Sequence, residues 1–275
     1  MMKLQRIVQS LAALLFNPWL ANFAKGTLYQ GPLKKGCVPV LNCHSCPGAT
    51  GACPIGGLQA ALGARPFNMI TLHVVGLLGL VGAVGGRFAC GWLCPFGYLQ
   101  DLMHKIPSPK LRVPRLLEWG KYATLAVLVV ALPALWVDEF GVSTGPWFCK
   151  TVCPAGTLEG AVPLLGLGAE QVPERPFYLV IKGAILAVFL GWMVVSKRPF
   201  CRVACPLGAI YGLFNRHSLL QIRVDQEQCV RCNLCQSACP VGLAVHERTN
   251  SPECIRCLNC RRVCPKGAVT FGPGR

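Results

Sequence analysis

Charged residues are scarce in this chain, and acidic residues are the scarcest. Only 14% of the 275 residues are charged, and 11 aspartates and glutamates face 27 lysines and arginines. Because a soluble globular chain carries about 25% charged residues, this composition predicts membrane segments. The net charge of +16 is also typical of nucleic-acid binding. The chain has no basic helix and no basic–aromatic patch, so we expect no nucleic-acid partner.

Signatures of several common chemistries are missing as well. The chain has no Cys-x-x-Cys-His motif for c-type haem, no phosphate-binding loop and no twin-arginine signal. It also has no recognisable set of a nucleophile and a base, so the sequence assigns no catalytic residue. These absences leave open whether the chain is itself an enzyme.

Cysteine, by contrast, is abundant, with eighteen in the chain. Eight of them form two runs that read Cys-x-x-Cys-x-x-Cys-x-x-x-Cys-Pro, starting at Cys229 and Cys254. In bacterial ferredoxins, the fourth cysteine of such a run ligates the other [4Fe–4S] cluster. Zinc sites or disulfides are the alternative, but the paired spacing and both prolines favour clusters. The predicted ligands are Cys229, Cys232, Cys235 and Cys264 for cluster 1, and Cys254, Cys257, Cys260 and Cys239 for cluster 2.

Four apolar segments predict transmembrane helices, at about residues 7–24, 69–86, 122–137 and 177–195. Each is close to the roughly 20 residues that span a bilayer. The first could be a signal peptide, but Asn22 is a poor residue before a cut after Ala24, so we interpret it as an uncleaved helix. Lysines and arginines concentrate after the second and fourth segments, which places both termini in the cytoplasm.

The predicted fold is therefore an integral membrane α-helical protein with four transmembrane helices. A C-terminal bacterial-type 2[4Fe–4S] ferredoxin domain of the α+β class follows it. The membrane domain would cover residues 1–218 and the ferredoxin domain residues 219–275. We expect a multi-pass protein of the bacterial cytoplasmic (inner) membrane, with the ferredoxin domain on the cytoplasmic side.

A repeat, Cys-Pro-x-Gly-x-[Leu/Ile], follows each apolar segment, and each copy has a second cysteine upstream. The proline fixes φ, and the glycine is expected to permit a tight turn against a cluster. One copy supplies two thiolates and a cubane needs four, so copies should work in pairs. The topology pairs the second copy with the fourth and the first with the third. The predicted ligands are Cys90, Cys94, Cys201 and Cys205 for an inner cluster, and Cys46, Cys53, Cys149 and Cys153 for an outer cluster.

Both membrane sites have alternatives. The inner cysteines could instead be redox dithiols or a zinc site. At the outer site Cys43 could replace Cys46, because Cys43-His-Ser-Cys46 has its own two-residue gap. A disulfide between Cys37 and Cys43, or an outer dithiol, is a further alternative because that face is oxidising. The chain is thus expected to bind two [4Fe–4S] clusters in the ferredoxin domain and up to four in total.

The pattern resembles the NapH/MauN type of ferredoxin-like membrane protein, which is related to the polyferredoxins of the NosR group. The resemblance is carried by the motifs at 90–95 and 201–206, the membrane helices and the C-terminal ferredoxin pair. It covers most of the chain from about residue 68 and implies electron transfer between the quinone pool and a partner oxidoreductase. The outer cysteines go beyond the minimal pattern, which raises the question of whether electrons travel further across the membrane.

The sequence therefore favours a membrane-bound electron-transfer protein, as one subunit of a larger quinone-linked redox complex. Three other functions stay open. The chain could be a self-sufficient quinone oxidoreductase. It could be a transmembrane thiol–disulfide reductase that delivers electrons to the outer cysteines, or a non-catalytic redox sensor or metal-assembly factor.

Overall fold

The computed structural model describes residues 2–63, 69–136, 145–166 and 176–274. The first half of the described chain holds α1 (Met2–Phe16), α2 (Ala21–Lys25), a 3₁₀ turn (Pro32–Lys35), α3 (Pro54–Gly63), α4 (Met69–Gly85), α5 (Phe88–Trp92), α6 (Pro95–Met103) and α7 (Arg115–Leu135). The second half holds α8 (Trp147–Thr151), α9 (154–166), α10 (Pro176–Val195), α11 (Pro199–Val203), α12 (Pro206–Phe214), β1 (Leu220–Val224), α13 (Leu234–Ser237), α14 (Asn259–Val263) and β2 (Val269–Pro273).

The first apolar segment is not one helix. α1 ends at Phe16 and α2 begins at Ala21, so the prediction of a continuous helix over residues 7–24 is wrong. Pro18 has no N–H to donate and disfavours helical backbone angles in the residue before it, which ends α1. α1 lies against α5 instead, where the buried amides of Gln5 and Gln9 both donate to Gly91 O, at 2.8 and 3.0 Å.

Two helices of the described residues are long and apolar enough to cross a membrane, Arg115–Leu135 and Phe177–Val195. α4 is apolar but has only 17 residues. Four transmembrane helices are therefore not confirmed. α7 begins seven residues before the predicted segment at Tyr122, through a 3₁₀ turn that follows Pro114. Val137, the predicted end of this segment, lies outside the described residues.

The stretch between α2 and α3 forms part of the main apolar core of the chain. Val40, Leu41 and Asn42 are almost fully buried, and Cys37 makes an isolated bridge with Ala52. This stretch belongs to one apolar cluster with interior residues of the long helices, such as Val74 and Val129, and with the starts of the short helices that follow the repeated cysteines. The core therefore lies where the four repeat copies meet.

The C-terminal part contains two antiparallel strands and two short helices. β1 pairs with β2 so that Leu220 faces Pro273 and Ile222 faces Phe271. Its apolar core also includes Trp92 of α5, and Phe88 stacks on Phe271 with ring centroids 6.0 Å apart. The ferredoxin unit is therefore packed directly onto the second repeat copy.

Candidate iron–sulfur sites

The eight cysteines of the ferredoxin unit line two separate small cavities. The cavity nearer the surface includes the fourth cysteine of the second run, and the deeper one includes the fourth cysteine of the first run. The two sets are Cys229, Cys232, Cys235 and Cys264, and Cys239, Cys254, Cys257 and Cys260. The structure thus brings together the same two sets that ferredoxin spacing predicts.

The backbone of both runs is shaped to bind negative charge. Arg231 and Asn233 in the first run have φ values of 50° and 60°, and Arg256 and Leu258 in the second have 52° and 61°. Non-glycine residues rarely adopt these left-handed angles. Alternating such residues with ordinary ones turns successive N–H groups towards one centre, which is a form of anion-binding nest found at Fe–S sites. The cradle of each run and the four thiols of each set fit a [4Fe–4S] cluster.

The protonation of the buried thiols also fits metal binding. Burial raises the pKa of Cys254 and of Cys260 to about 12, so both thiols are neutral at pH 7 without a metal. A bound metal cation deprotonates a coordinating thiol and supplies the charge that burial otherwise opposes. Within the described residues, no three His, Cys, Asp or Glu side chains converge closely enough to bind a single ion. A cubane distributes its thiolates over four separate iron corners.

The inner cysteines of the second and fourth copies are buried together. Cys90, Cys94, Cys201 and Cys205 are each exposed by 7% or less. Burial, followed by the proximity of Cys201 and Cys90, raises the pKa of both Cys94 and Cys205. The four thiols are therefore near neighbours, in the arrangement that a shared cluster requires.

Each Cys-Pro pair starts a helix. Cys94 and Cys205 are N-caps, and their sulfurs accept hydrogen bonds from the N–H groups of Gly97 and Gly208, each at 3.4 Å. The proline occupies the first helical position, where its missing N–H costs nothing. The expected tight turn at the glycine is wrong, because Gly97 and Gly208 are helical. These glycines are needed for close approach instead, since a Cβ on Gly208 would lie 3.0 Å from Cys201 O.

Two fully buried arginines join the second and fourth copies. Arg87, three residues before Cys90, donates through Nη2 to Cys201 O at 2.8 Å. Arg198, three residues before Cys201, donates through Nη1 to Cys90 O at 2.8 Å. Each copy therefore holds the first cysteine of the other. We call this reciprocal pair of contacts the arginine crossover.

Each crossover arginine has an acidic partner. Arg198 makes a two-point contact with Asp101 of α6, with N–O distances of 2.9 and 2.5 Å. Arg87 contacts Glu253 at 3.3 Å, and Glu253 also pairs with the buried Lys121 of α7. Buried charges need such partners, because an unpaired charge in a low-dielectric interior is strongly unfavourable.

The outer site is a cavity of about 470 Å³ between the first and third copies. Cys43, Cys53, Cys149 and Cys153 line it together with Lys182. Cys46, the predicted ligand, is buried elsewhere, and its sulfur lies 3.6 Å from Asn17 Oδ1. The structure therefore brings the alternative residue Cys43, not Cys46, into the outer group. Cys37 does not line this cavity, and all eighteen cysteines are free of disulfides.

The sixth residue after the Cys-Pro cysteine reaches across to the partner copy in the first three copies. Gln100 donates to Cys201 Sγ at 2.9 Å, and Gln59 donates to Cys149 Sγ at 3.4 Å. In the third copy this position is Glu159, whose Oε2 accepts a hydrogen bond from Cys43 N at 2.8 Å. By position, Cys43 is thus the equivalent of Cys149 and Cys201.

Glu159 lies in an apolar environment beside the outer thiols. Burial raises its pKa to about 7, although the hydrogen bond from Cys43 N–H opposes this shift. Lys182, which projects from α10, is the cation that faces Cys149.

The inner and outer sites are joined by the buried stretch between α2 and α3. The backbone N–H of Leu41 lies near the sulfur of Cys94 in the inner site, and the backbone N–H of Asn42 lies near the sulfur of Cys53 in the outer site. Tyr211, the sixth residue of the fourth copy, donates to Pro39 O at 3.1 Å. Adjacent peptide groups therefore contact a thiol of each site.

The ferredoxin unit reaches the inner site through its second run. A Cβ on Gly91, the residue after Cys90, would lie 2.2 Å from Ile255 O. Trp92 Nε1 donates to Arg256 O at 2.9 Å. The backbone of the second run thus lies directly against the backbone of the second repeat copy.

Sequence reasoning missed the acids, the arginine crossover and the sixth-position residues. The arginines stand at matching places in Arg87-Phe-Ala-Cys and Arg198-Pro-Phe-Cys, and that match was the available signal. The sixth-position signal was present as Gln, Gln and Glu in three copies. No pattern marks Glu253 or Asp101, because each matters only through the fold.

Comparisons with known proteins agree with the cysteine chemistry. A family model described as "4Fe-4S binding domain" matches residues 67–114, 123–165 and 179–224. A second, described as "4Fe-4S dicluster domain", matches residues 221–265. No solved structure matches the chain.

Similar curated proteins come from archaea and bacteria. An uncharacterized protein of Methanocaldococcus jannaschii is 31% identical over 196 residues, which are 70% of this chain and 71% of that protein. The methylamine utilization ferredoxin-type protein MauN of Methylorubrum extorquens is 29% identical over 188 residues, 68% of this chain and 59% of MauN. The ferredoxin-type protein NapH of Escherichia coli is 24% identical over 237 residues, 84% of this chain and 70% of NapH.

Proposed function

Since this chain belongs to the NapH/MauN type of ferredoxin-like 4Fe–4S proteins, we propose that it conducts electrons through four [4Fe–4S] clusters in the cytoplasmic membrane. It acts as one subunit of a redox complex. Electrons pass between a cytoplasmic partner and either the quinone pool or a partner oxidoreductase. Both termini and the ferredoxin domain lie on the cytoplasmic side.

The packing supports one order of clusters. Cluster 1 includes the exposed Cys232 and is the contact point for a cytoplasmic partner. Cluster 2 lies on the run that packs against Gly91, so it exchanges electrons with the inner cluster. The inner cluster exchanges with the outer cluster across Leu41 and Asn42. Iron–sulfur clusters supply one-electron transfer, and the chain's own residues fix their separation and surroundings.

The proposed ligands follow the two membrane-domain sites. The inner cluster is held by Cys90, Cys94, Cys201 and Cys205. The outer cluster is held by Cys43, Cys53, Cys149 and Cys153. The contact between Glu159 and Cys43 supports this outer set, because the equivalent contacts in the first and second copies reach the first cysteine of the partner copy.

The observation that carries the proposal is the reciprocal contact between repeat copies. Arg87 and Arg198 each bind the cysteine backbone of the opposite copy, and Gln100 and Gln59 each contact an opposite sulfur. Such contacts assemble two complete four-thiol sites out of four incomplete ones.

Iron and sulfide analysis of the purified full-length protein, with EPR spectroscopy, tests the proposal. About sixteen irons support four clusters and about twelve support three, at four irons per cubane. Eight irons would remove both membrane sites and with them the proposed path. A Cys201→Ser variant should lose one cluster signal, and a variant that keeps every signal contradicts the inner assignment.

A further inference from the structure

The acids that face the two crossover arginines come from different parts of the chain. Arg87 and Arg198 occupy equivalent positions, three residues before the first cysteine of their copies. The acid that pairs with Arg198 is Asp101, which lies in the membrane domain. The acid that pairs with Arg87 is Glu253, which lies in the ferredoxin unit directly before Cys254. One half of the inner site is thus completed by the other domain.

Glu253 balances two buried cations. Arg87 and Lys121 have fully buried side chains, and the Glu253 side chain is 12% exposed. In the part of the chain that the structure describes, no other carboxylate lies within ion-pair distance of either cation. Removal of the Glu253 charge therefore leaves both Arg87 and Lys121 without a carboxylate partner.

The position of Glu253 also connects it to both clusters. Its neighbour Cys254 belongs to the ligand set of cluster 2. Its partner Arg87 donates to the carbonyl of Cys201 in the inner site. Arg87 donates as well to Pro252 O at 2.9 Å, so the backbone before Glu253 is fixed to the same guanidinium. A charge in this position acts on both clusters at short range.

We propose that Glu253 is a positioning residue that completes the inner site from the ferredoxin unit and links the reduction potentials of cluster 2 and the inner cluster. This inference rests on the proposed function, since it requires an inner cluster. When cluster 2 loses one electron and the inner cluster gains it, negative charge moves across the ion group of Glu253, Arg87 and Lys121. The charges of this ion group therefore act on the reduction potentials of both clusters.

A pair of matched variants tests the inference. Glu253→Gln and Asp101→Asn each remove one acid from a crossover arginine while keeping the size of the side chain. EPR-monitored redox titration of the full-length protein measures the midpoint of each cluster. Loss of a nearby negative charge favours the reduced cluster, so midpoints rise. We expect Glu253→Gln to raise the midpoint potentials of both cluster 2 and the inner cluster. The expected shift is about 59 mV for a one-electron couple, which corresponds to an about tenfold higher ratio of reduced to oxidised cluster at a fixed potential. Asp101→Asn should raise the midpoint of the inner cluster alone.

A variant that removes a cation distinguishes an effect of charge from a general disturbance of the fold, because its midpoint shift should have the opposite direction. Lys121→Met removes a cation, so it should lower the midpoint of the inner cluster, and it remains informative if Glu253→Gln does not fold. The inference is overturned if Glu253→Gln leaves cluster 2 unchanged, if both acid variants give the same pattern, or if Lys121→Met raises the inner midpoint. A wild-type protein with no third cluster signal instead overturns the proposed function.

Discussion

Replacement of Arg198 by glutamine should destabilise the membrane domain more than any replacement of an exposed arginine. The guanidinium is buried and donates to Cys90 O and to both oxygens of Asp101. Glutamine cannot form the two-point contact, and it leaves Asp101, whose side chain is 23% exposed, without its cation. Removal of one partner of a buried pair costs about 3–5 kcal/mol. Asp101 is partly exposed, so we expect a cost near the lower end, about 3 kcal/mol.

The free energy of unfolding of the detergent-solubilised full-length protein, from a denaturant titration, provides the measurement. Arg112→Gln is the matched control, because Arg112 is exposed and makes no ion pair among the described residues. Exposed substitutions usually change stability by no more than about 0.5 kcal/mol. The free energy of unfolding of Arg198→Lys should fall between those of the two glutamine variants, since lysine keeps the positive charge but cannot form the two-point contact of the guanidinium group.

A double variant isolates the ion pair from the hydrogen bond to Cys90. Arg198→Gln combined with Asp101→Asn removes both charges, so it should cost less than the sum of the single variants. An Arg198→Gln protein as stable as the Arg112→Gln protein would refute the crossover as a structural feature of the inner site. Additive effects of Arg198→Gln and Asp101→Asn would refute the pairing.

Three other predictions follow from individual contacts. Cys43→Ser should abolish the outer cluster's EPR signal and four irons, whereas Cys46→Ser should retain both; the opposite result would return Cys46 to the ligand set. Gly208→Ala should cost about 1–3 kcal/mol, since its Cβ would lie 3.0 Å from a carbonyl oxygen; Gly191→Ala, which meets open space, should be neutral or stabilising by thermal unfolding. Gln100→Leu removes a 2.9 Å hydrogen bond to an inner sulfur and should lower that cluster's midpoint in a redox titration; an unchanged midpoint would contradict the contact.

Cysteine spacing was enough to predict which thiols come together in the ferredoxin unit, because a cubane accepts few arrangements along a short run. It was also enough to pair the repeat copies, since two thiolates per copy require a partner copy. For the first copy the sequence favoured Cys46 with Cys43 as the alternative, and it is Cys43 that lines the outer cavity. Cys43 lies at the cavity because Glu159 accepts a hydrogen bond from its backbone N–H.

Other features depend on tertiary contacts that no local pattern reports. The break after Phe16 could be predicted from Pro18, yet the apolar composition on both sides of it suggested one helix. The roles of Arg87 and Glu253 could not be predicted, because a buried ion pair between residues 166 positions apart has no signature in the intervening sequence. Polar residues in a membrane domain indicate a site, but their partners require the fold.

The fourth repeat copy breaks the sixth-position rule, and its exception has a structural reason. Tyr211 replaces the glutamine or glutamate of the other copies and contacts Pro39 O rather than a cysteine. Burial and the nearby thiols Cys90 and Cys53 raise its pKa, so it lies within electrostatic range of both the inner and the outer site. A strict fourth copy would contact one sulfur and leave the stretch at 37–53 without this anchor. The departure from the repeat therefore fixes the segment whose adjacent peptide groups lie near both sites, and this asymmetry in the repeat joins the two halves of the proposed path.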